Sequence, residues 1–232
     1  VSAGDPRALA PRLEALGWSV GRVETPGGVG ALIVERGGPT RAAVVALAGA
    51  DPERLGPAVA ALRALTPSRP LRVLGWGPEP DVPTRRRLRR MGMELGLFEP
   101  LTDRDLRFQL NRALATGAGP ARTARRAPVP WELAARSGLR RITASVYTVS
   151  AGGVFLATRR PLRPGRRLAL EMPLGPLLSP RARGRVVLAN RPEAPEHPTL
   201  PPGMAIRFEA LDGPSAAAID RFVERRLAEL SL

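Results

Sequence analysis

The spacing of apolar residues changes character about halfway along the chain. Up to residue 114, short apolar runs alternate with segments in which leucines recur every three or four positions. Leu9, Leu13 and Leu16 follow Asp5-Pro6, an N-cap and first-turn pair, and Gly17 stops that helix. WSVGRVE then predicts a strand, and GVGALIVERGG reads ambiguously, poor as a helix. AAVVALA, residues 42–48, has the unbroken apolar character of a strand covered on both faces. Asp51-Pro52 caps a helix carrying Leu55, Val59 and Leu62. LRVLGW predicts a second buried strand, TRRRLRRMG a helix, and LGLF a short strand. Thr102-Asp-Arg-Asp105 resembles a capping box ahead of Leu106, Leu110 and Leu114. Strands alternating with helices in this way predict a small α/β domain with a parallel sheet over residues 1–115.

Residues 116–128 lack any apolar period and are rich in Gly, Pro, Ala and Arg, so they read as a linker. Beyond it the period becomes two. In RRLALEMPL the residues Leu168, Leu170, Met172 and Leu174 share one face, opposite Arg167, Ala169 and Glu171. GMAIRFEAL repeats the pattern with Met204, Ile206 and Phe208. WELAAR, ITASVYTV, VFLAT and RGRVVLAN add further short strands separated by turn signals such as RPLRPGR. Such spacing predicts a small antiparallel barrel over residues 129–232. A last helix carries Ile219, Phe222, Val223, Leu227 and Leu230 as its apolar stripe.

Charge changes the picture less than its size suggests. The net charge is +15, but the chain contains no lysine, and its heavy use of Arg, Ala, Gly and Pro is the signature of a GC-rich genome. The clustering of arginines is therefore more informative than their number. Arg85, Arg86, Arg87, Arg89 and Arg90 wrap around one helix with no interleaved aromatic residue, which favours a solvated surface over nucleic-acid binding. The chain has no cysteine, so disulfides and thiolate metal sites are ruled out, as suits a reducing compartment. No apolar run approaches the roughly 18 residues of a membrane span. The opening VSAGDPRALAPRLE is polar, unlike a signal peptide. A cytoplasmic location is expected.

Catalytic chemistry is sparse. The single histidine, His197, lies in the proline-rich segment RPEAPEHPTLPPG, where a general base would lack a rigid partner. Ser150 sits in T-V-S-A-G, not in a nucleophile elbow, and no histidine is placed to activate it. Scattered carboxylates with one histidine make no zinc site, so neither an enzyme nor a metal protein is expected.

Two motifs remain. Arg122-Thr-Ala-Arg125-Arg126 lies in the linker just before the first barrel strand. Thr148-Val-Ser150-Ala-Gly152-Gly153-Val-Phe155 interrupts a later strand with glycines. Glycine inside a strand marks a bulge or a close approach to the backbone. Together these segments resemble the PilZ domain, with RxxxR followed by S-x-x-G over about residues 120–228. PLRPG, PPGMAIRFEAL and the closing helix IDRFVERRL are also similar to that family. The resemblance implies cyclic di-GMP as ligand, bound by Arg122, Arg126, Thr148, Ser150 and Gly153, with Arg125 and Gly152 as further candidates. Guanidinium forks suit phosphate oxygens and guanine O6/N7 edges, and a glycine lets the ligand come close to the backbone. Thr148 departs from the family pattern, which has Asp or Asn there. A hydroxyl accepts at most one of the two guanine N–H groups that a carboxylate can take, so weaker binding is expected.

The amino-terminal half resembles a response-regulator receiver more faintly. LFEPLTDRDL is similar to the end of that fold, but Glu99 stands where its lysine is usual, and Leu47 falls where the phosphoacceptor Asp should be. Asp51 comes later, at a helix cap. The first strand is nearly missing ahead of VSAGD. The resemblance implies a flavodoxin-like pseudo-receiver, without phosphotransfer, that binds a protein partner. The whole then reads as a regulator with cyclic di-GMP as its ligand and no metal. The alternative is a scaffold of the same fold that no longer binds the nucleotide.

Overall fold

The computed structural model describes residues 6–26, 28–35, 41–65, 71–115, 124–174 and 179–232. The chain forms two compact units, Val1–Gly119 with Leu230–Leu232, and Pro120–Glu229. Among the described residues no helix is long and apolar enough to cross a membrane.

The first unit contains α1 (Pro6–Ala15), β1 (Ser19–Glu24), β2 (Gly30–Glu35), β3 (Arg41–Ala46), α2 (Pro52–Ala64), β4 (Leu71–Gly77), α3 (Val82–Arg90), β5 (Met93–Phe98) and α4 (Asp103–Leu114). Its five strands lie in the order β1-β2-β3-β4-β5. β3, β4 and β5 run parallel, as the alternating pattern predicts, whereas β1, β2 and β3 pair antiparallel. The sheet is therefore mixed. Residues 36–40 are too few for the crossover of about a dozen residues that parallel pairing of β2 with β3 would need. The ambiguous GVGALIVERGG is β2, in which Ala31 to Val34 are all buried. A strand buried on both faces loses the alternation that would identify it.

The period of two divides each central strand between two cores. Leu32, Val34, Ala42, Val44, Leu74 and Trp76 pack with Leu9, Leu13, Leu106 and Leu110 of α1 and α4. Ala31, Ile33, Ala43, Val45 and Val73 pack with Leu55, Val59, Leu62 and Leu88 of α2 and α3. Two of the predicted helix caps are in place, and Asp5, the third, lies outside the described residues. Asp51 accepts from the Glu53 backbone N–H at 2.9 Å, and Thr102 accepts from that of Asp105 at 3.1 Å. Leu47 is partly buried against the α2/α3 core. The expected all-solvated arginine helix needs correction at one position. Arg86, Arg87, Arg89 and Arg90 are exposed, but Arg85 folds inward. Its guanidinium donates to the Pro80 carbonyl at 3.1 Å and the Ser231 carbonyl at 3.2 Å, pairs with Glu79, and lies 5.1 Å from the centre of the Phe98 ring. Ser231 also bridges antiparallel to Leu95, and Leu232 is fully buried in the α2/α3 core. These last residues cover the edge of β5, whose unpaired backbone groups would otherwise invite association.

The second unit contains β6 (Ala127–Pro128), β7 (Glu132–Ser137), β8 (Arg140–Ser150), β9 (Gly153–Ala157), β10 (Arg167–Glu171), β11 (Arg181–Asn190), β12 (Gly203–Ala210) and α5 (Gly213–Glu229). The six strands β8-β7-β10-β11-β12-β9 close through pairing of β9 with β8, giving the predicted antiparallel barrel. Leu168, Leu170, Val186, Met204 and Ile206 fill it, together with Ile219 and Val223 of the closing helix. Trp131 stacks obliquely on Phe222 of that helix with ring centres 4.9 Å apart. The proline-rich segment after β11 is held by Asn190, whose amide donates to the carbonyls of His197, Leu200 and Pro201.

Candidate functional site

The two motifs meet through strand pairing. β6, which the composition placed at the end of the linker, forms a short antiparallel ladder with β8, Ala127 opposite Val149 and Pro128 opposite Thr148. Arg126 immediately precedes this ladder in the chain. Arg126 is half-buried and Arg125 exposed. Arg122 lies outside the described residues.

On β8 the side-chain alternation changes partway. Ile142, Ala144 and Val146 point into the core, a register irregularity follows at Tyr147, and Val149 is the next inward residue. An extra residue in one strand shifts the parity of everything after it. The shift turns Thr148 and Ser150 to the outer side, level with Phe155 and Gly153 of β9. Both polar residues are nonetheless buried, Thr148 at 5% exposure and Ser150 at 1%. The Ser150 hydroxyl donates to the Gly153 carbonyl at 3.2 Å across the hairpin. Ala151 and Gly152 form its tip.

The two glycines have different reasons to be glycine. A Cβ on Gly153 would overlap the Ile206 carbonyl oxygen and lie 3.3 Å from the Arg207 Cα. The close approach that the sequence signals at Gly153 is therefore that of β12, and the fold requires this glycine without any ligand. Gly152 is exposed. A Cβ there would meet nothing nearer than the Ala124 Cβ and the Ser150 hydroxyl oxygen, each 4.0 Å away. The space left open lies at Gly152, between the arginine segment and the hairpin.

One residue of this neighbourhood escaped the sequence reading. Arg207 of β12 is exposed and stands directly opposite Gly153. Its position was hidden because the two residues are far apart in sequence. The alternation of GMAIRFEAL carried the available signal, since it puts Arg207 on the face opposite Ile206. Among the described residues no group of three His, Asp or Glu side chains is placed to hold a metal ion. His197 is exposed in its loop, with its backbone N–H and carbonyl both bound to Asn190.

Comparison with known proteins gives a family match within the second half of the chain. Residues 120–225 match the family described as PilZ domain. Among solved structures, the Bacillus subtilis inhibitor of motility (MotI/DgrA) is similar at 16% identity over 50% of this chain, with a TM-score of 0.39. The chain covers 57% of that protein's length. The PilZ domain of YcgR from Escherichia coli, solved with c-di-GMP, is similar at 17% identity over 47% of this chain and 94% of its own, with a TM-score of 0.35. No curated protein matches the sequence.

Proposed function

We propose that the PilZ domain at residues 120–225 makes this chain a cyclic di-GMP-responsive regulatory protein without catalytic activity of its own. The observation that best supports this reading is the pairing of β6 with β8, which carries the arginine segment to the Thr148–Ser150 strand. In the proposed complex Arg126 offers its planar fork of donors to a phosphodiester or to a guanine O6/N7 edge. The Ser150 hydroxyl rotates away from the Gly153 carbonyl to donate to a phosphate oxygen. Gly152 admits the nucleotide at the hairpin tip, Gly153 fixes the hairpin against β12, and Thr148 accepts from one guanine N–H. Arg122 supplies the second arm of the segment, and Arg125 stands beside it.

Gripping the ligand in this way ties the stretch between the two units to the barrel. That is the proposed route by which nucleotide binding reaches the first unit, read as a degenerate receiver that holds a protein partner. Asp51 is engaged as a helix cap, Leu47 stands at the acceptor position and Glu99 at the lysine position, so phosphotransfer forms no part of the mechanism. The proposed setting is cytoplasmic.

A thermal-shift series with cyclic di-GMP tests the reading. Ligand that binds only the folded state raises the melting temperature in proportion to the logarithm of its concentration. Wild type should show that rise and Arg126→Ala should not, each measured against its own melting temperature without ligand. Equal shifts for the two proteins would contradict the clamp.

The burial of Thr148 between Pro128 and Phe155 favours one second reading: a scaffold whose nucleotide site has decayed. That protein would melt at the same temperature with and without cyclic di-GMP and would act through protein contacts alone.

A further inference from the structure

The outer face of the barrel carries a row of arginines apart from the glycine hairpin. Across β8, β7, β10 and β11 the residues Arg141, Arg136, Ala169 and Arg183 are direct cross-strand neighbours, and all four are exposed. They line an open groove of about 1120 Å³ that also includes Ala134, Pro173 and Leu211. Like charges directly opposite one another destabilise an antiparallel pair. The next row contains another such pair, Arg167 opposite Arg185, and there the molecule supplies a counter-ion. A register irregularity in β12 places Glu209 so that its carboxylate accepts from Arg167 at 3.1 Å and from Arg185 at 2.6 Å. No described carboxylate pairs with Arg136, Arg141 or Arg183.

The acidic residues around the groove are already engaged. Glu171 lies 3.8 Å from Arg181, Glu132 accepts from the Ser145 hydroxyl, and Asp212 caps α5 by accepting from Ser215. Three guanidinium groups are thus left facing outward over a floor of small side chains, with Leu139 wholly exposed at the adjoining hairpin tip. A continuous polyphosphate would meet the carboxylates along the rim, and among the described residues no aromatic side chain lines the groove to stack a base. Discrete carboxylates on a protein segment can match the three arginines, and an apolar side chain of that segment can cover Leu139.

We propose that this face docks an acidic segment of a partner protein through Arg136, Arg141 and Arg183. Adjacent strands lie about 4.8 Å apart, so the row spans about 15 Å, the length of four or five extended residues. The site is separate from the nucleotide hairpin and stands whether or not cyclic di-GMP binds.

The test uses the full chain and a fluorescein-labelled peptide of about ten residues, rich in Asp and Glu with one central Leu, followed by anisotropy at about 50 mM and about 300 mM salt. The triple variant Arg136→Ala/Arg141→Ala/Arg183→Ala should weaken binding at least ~10-fold, at about threefold per arginine. The matched variant Arg86→Ala/Arg87→Ala/Arg89→Ala on α3 should change it less than about twofold. The barrel triple variant should melt no lower than wild type, because it removes a like-charge pair. Arg183→Ala alone, whose cross-strand neighbours are Ala169 and Ala210, gives about a threefold loss and serves if the triple variant does not fold. Equal losses in both triple variants, or tighter binding of duplex DNA than of the peptide through the same three arginines, would overturn the proposal.

Discussion

Ser150 and Gly153 face each other as the last pair of the β8–β9 hairpin, and the serine hydroxyl donates to the glycine carbonyl at 3.2 Å. This bond closes the hairpin in the absence of ligand and holds the hydroxyl where the proposed nucleotide would take it over. Stability and binding should therefore respond differently to substitutions only one residue apart.

Gly153→Ala places a methyl group against the Ile206 carbonyl, a backbone atom that cannot move alone. Overpacking of this kind costs about 1–3 kcal/mol. Gly152→Ala meets open space and needs no left-handed backbone, so its stability should stay within about 0.5 kcal/mol of wild type. Urea denaturation of the two variants checks the contrast. Under the proposed function Gly152→Ala also weakens cyclic di-GMP binding, because it fills the notch.

Thr148→Asp restores the acceptor that the family pattern has at this position. A charge-assisted hydrogen bond contributes about 1.5–3 kcal/mol, so cyclic di-GMP should bind roughly ten- to a hundredfold more tightly. The same carboxylate is placed in a buried position, and the free variant should melt below wild type. Melting curves with and without ligand separate the two effects: a lower starting point and a larger rise.

Asp51 is expected to act only as a cap. Asp51→Ala should destabilise the first unit by about 1 kcal/mol, the ordinary cost of removing an N-cap side chain. Incubation of wild type with acetyl phosphate should leave its intact mass unchanged. A phosphoryl adduct at Asp51 would overturn the reading of the first unit as a degenerate receiver.

Asp212 provides a test in acid. The backbone N–H and the hydroxyl of Ser215 both donate to its carboxylate and hold it below the ordinary carboxylate range. A group whose pKa is depressed by folding stabilises the native state fully above its unfolded value and loses that contribution as pH falls through the folded one. Melting temperature should thus decline from the ordinary carboxylate pKa downward. Asp212→Asn keeps a capping acceptor without the titration and should show a shallower decline.

The elements were legible wherever periodicity and caps agreed. Leu9, Leu13 and Leu16 with a proline at the first turn, or Leu168 and Leu170 between exposed partners, admit one reading each. β2 was not legible, because its four buried residues in succession fit a strand or a buried helix equally. The inward turn of Arg85 was hidden for another reason: its partners include Phe98 and Ser231, which only the fold brings together. The candidate site reads in the sequence as two motifs, but the outward turn of Thr148 and Ser150 depends on an irregularity at Tyr147 that no local residue signals. The glycine signal at 152–153 was read as one feature, whereas the packing of β12 divides it into a structural residue and an open one.

In the proposed complex the arginine segment and the β8–β9 hairpin close on one cyclic dinucleotide. Isothermal titration of cyclic di-GMP into the full chain at physiological ionic strength tests it most directly. Wild type should give saturable heat, Arg126→Ala none, and Thr148→Asp a steeper isotherm. A flat trace for wild type and Thr148→Asp alike, with both proteins folded, would contradict it.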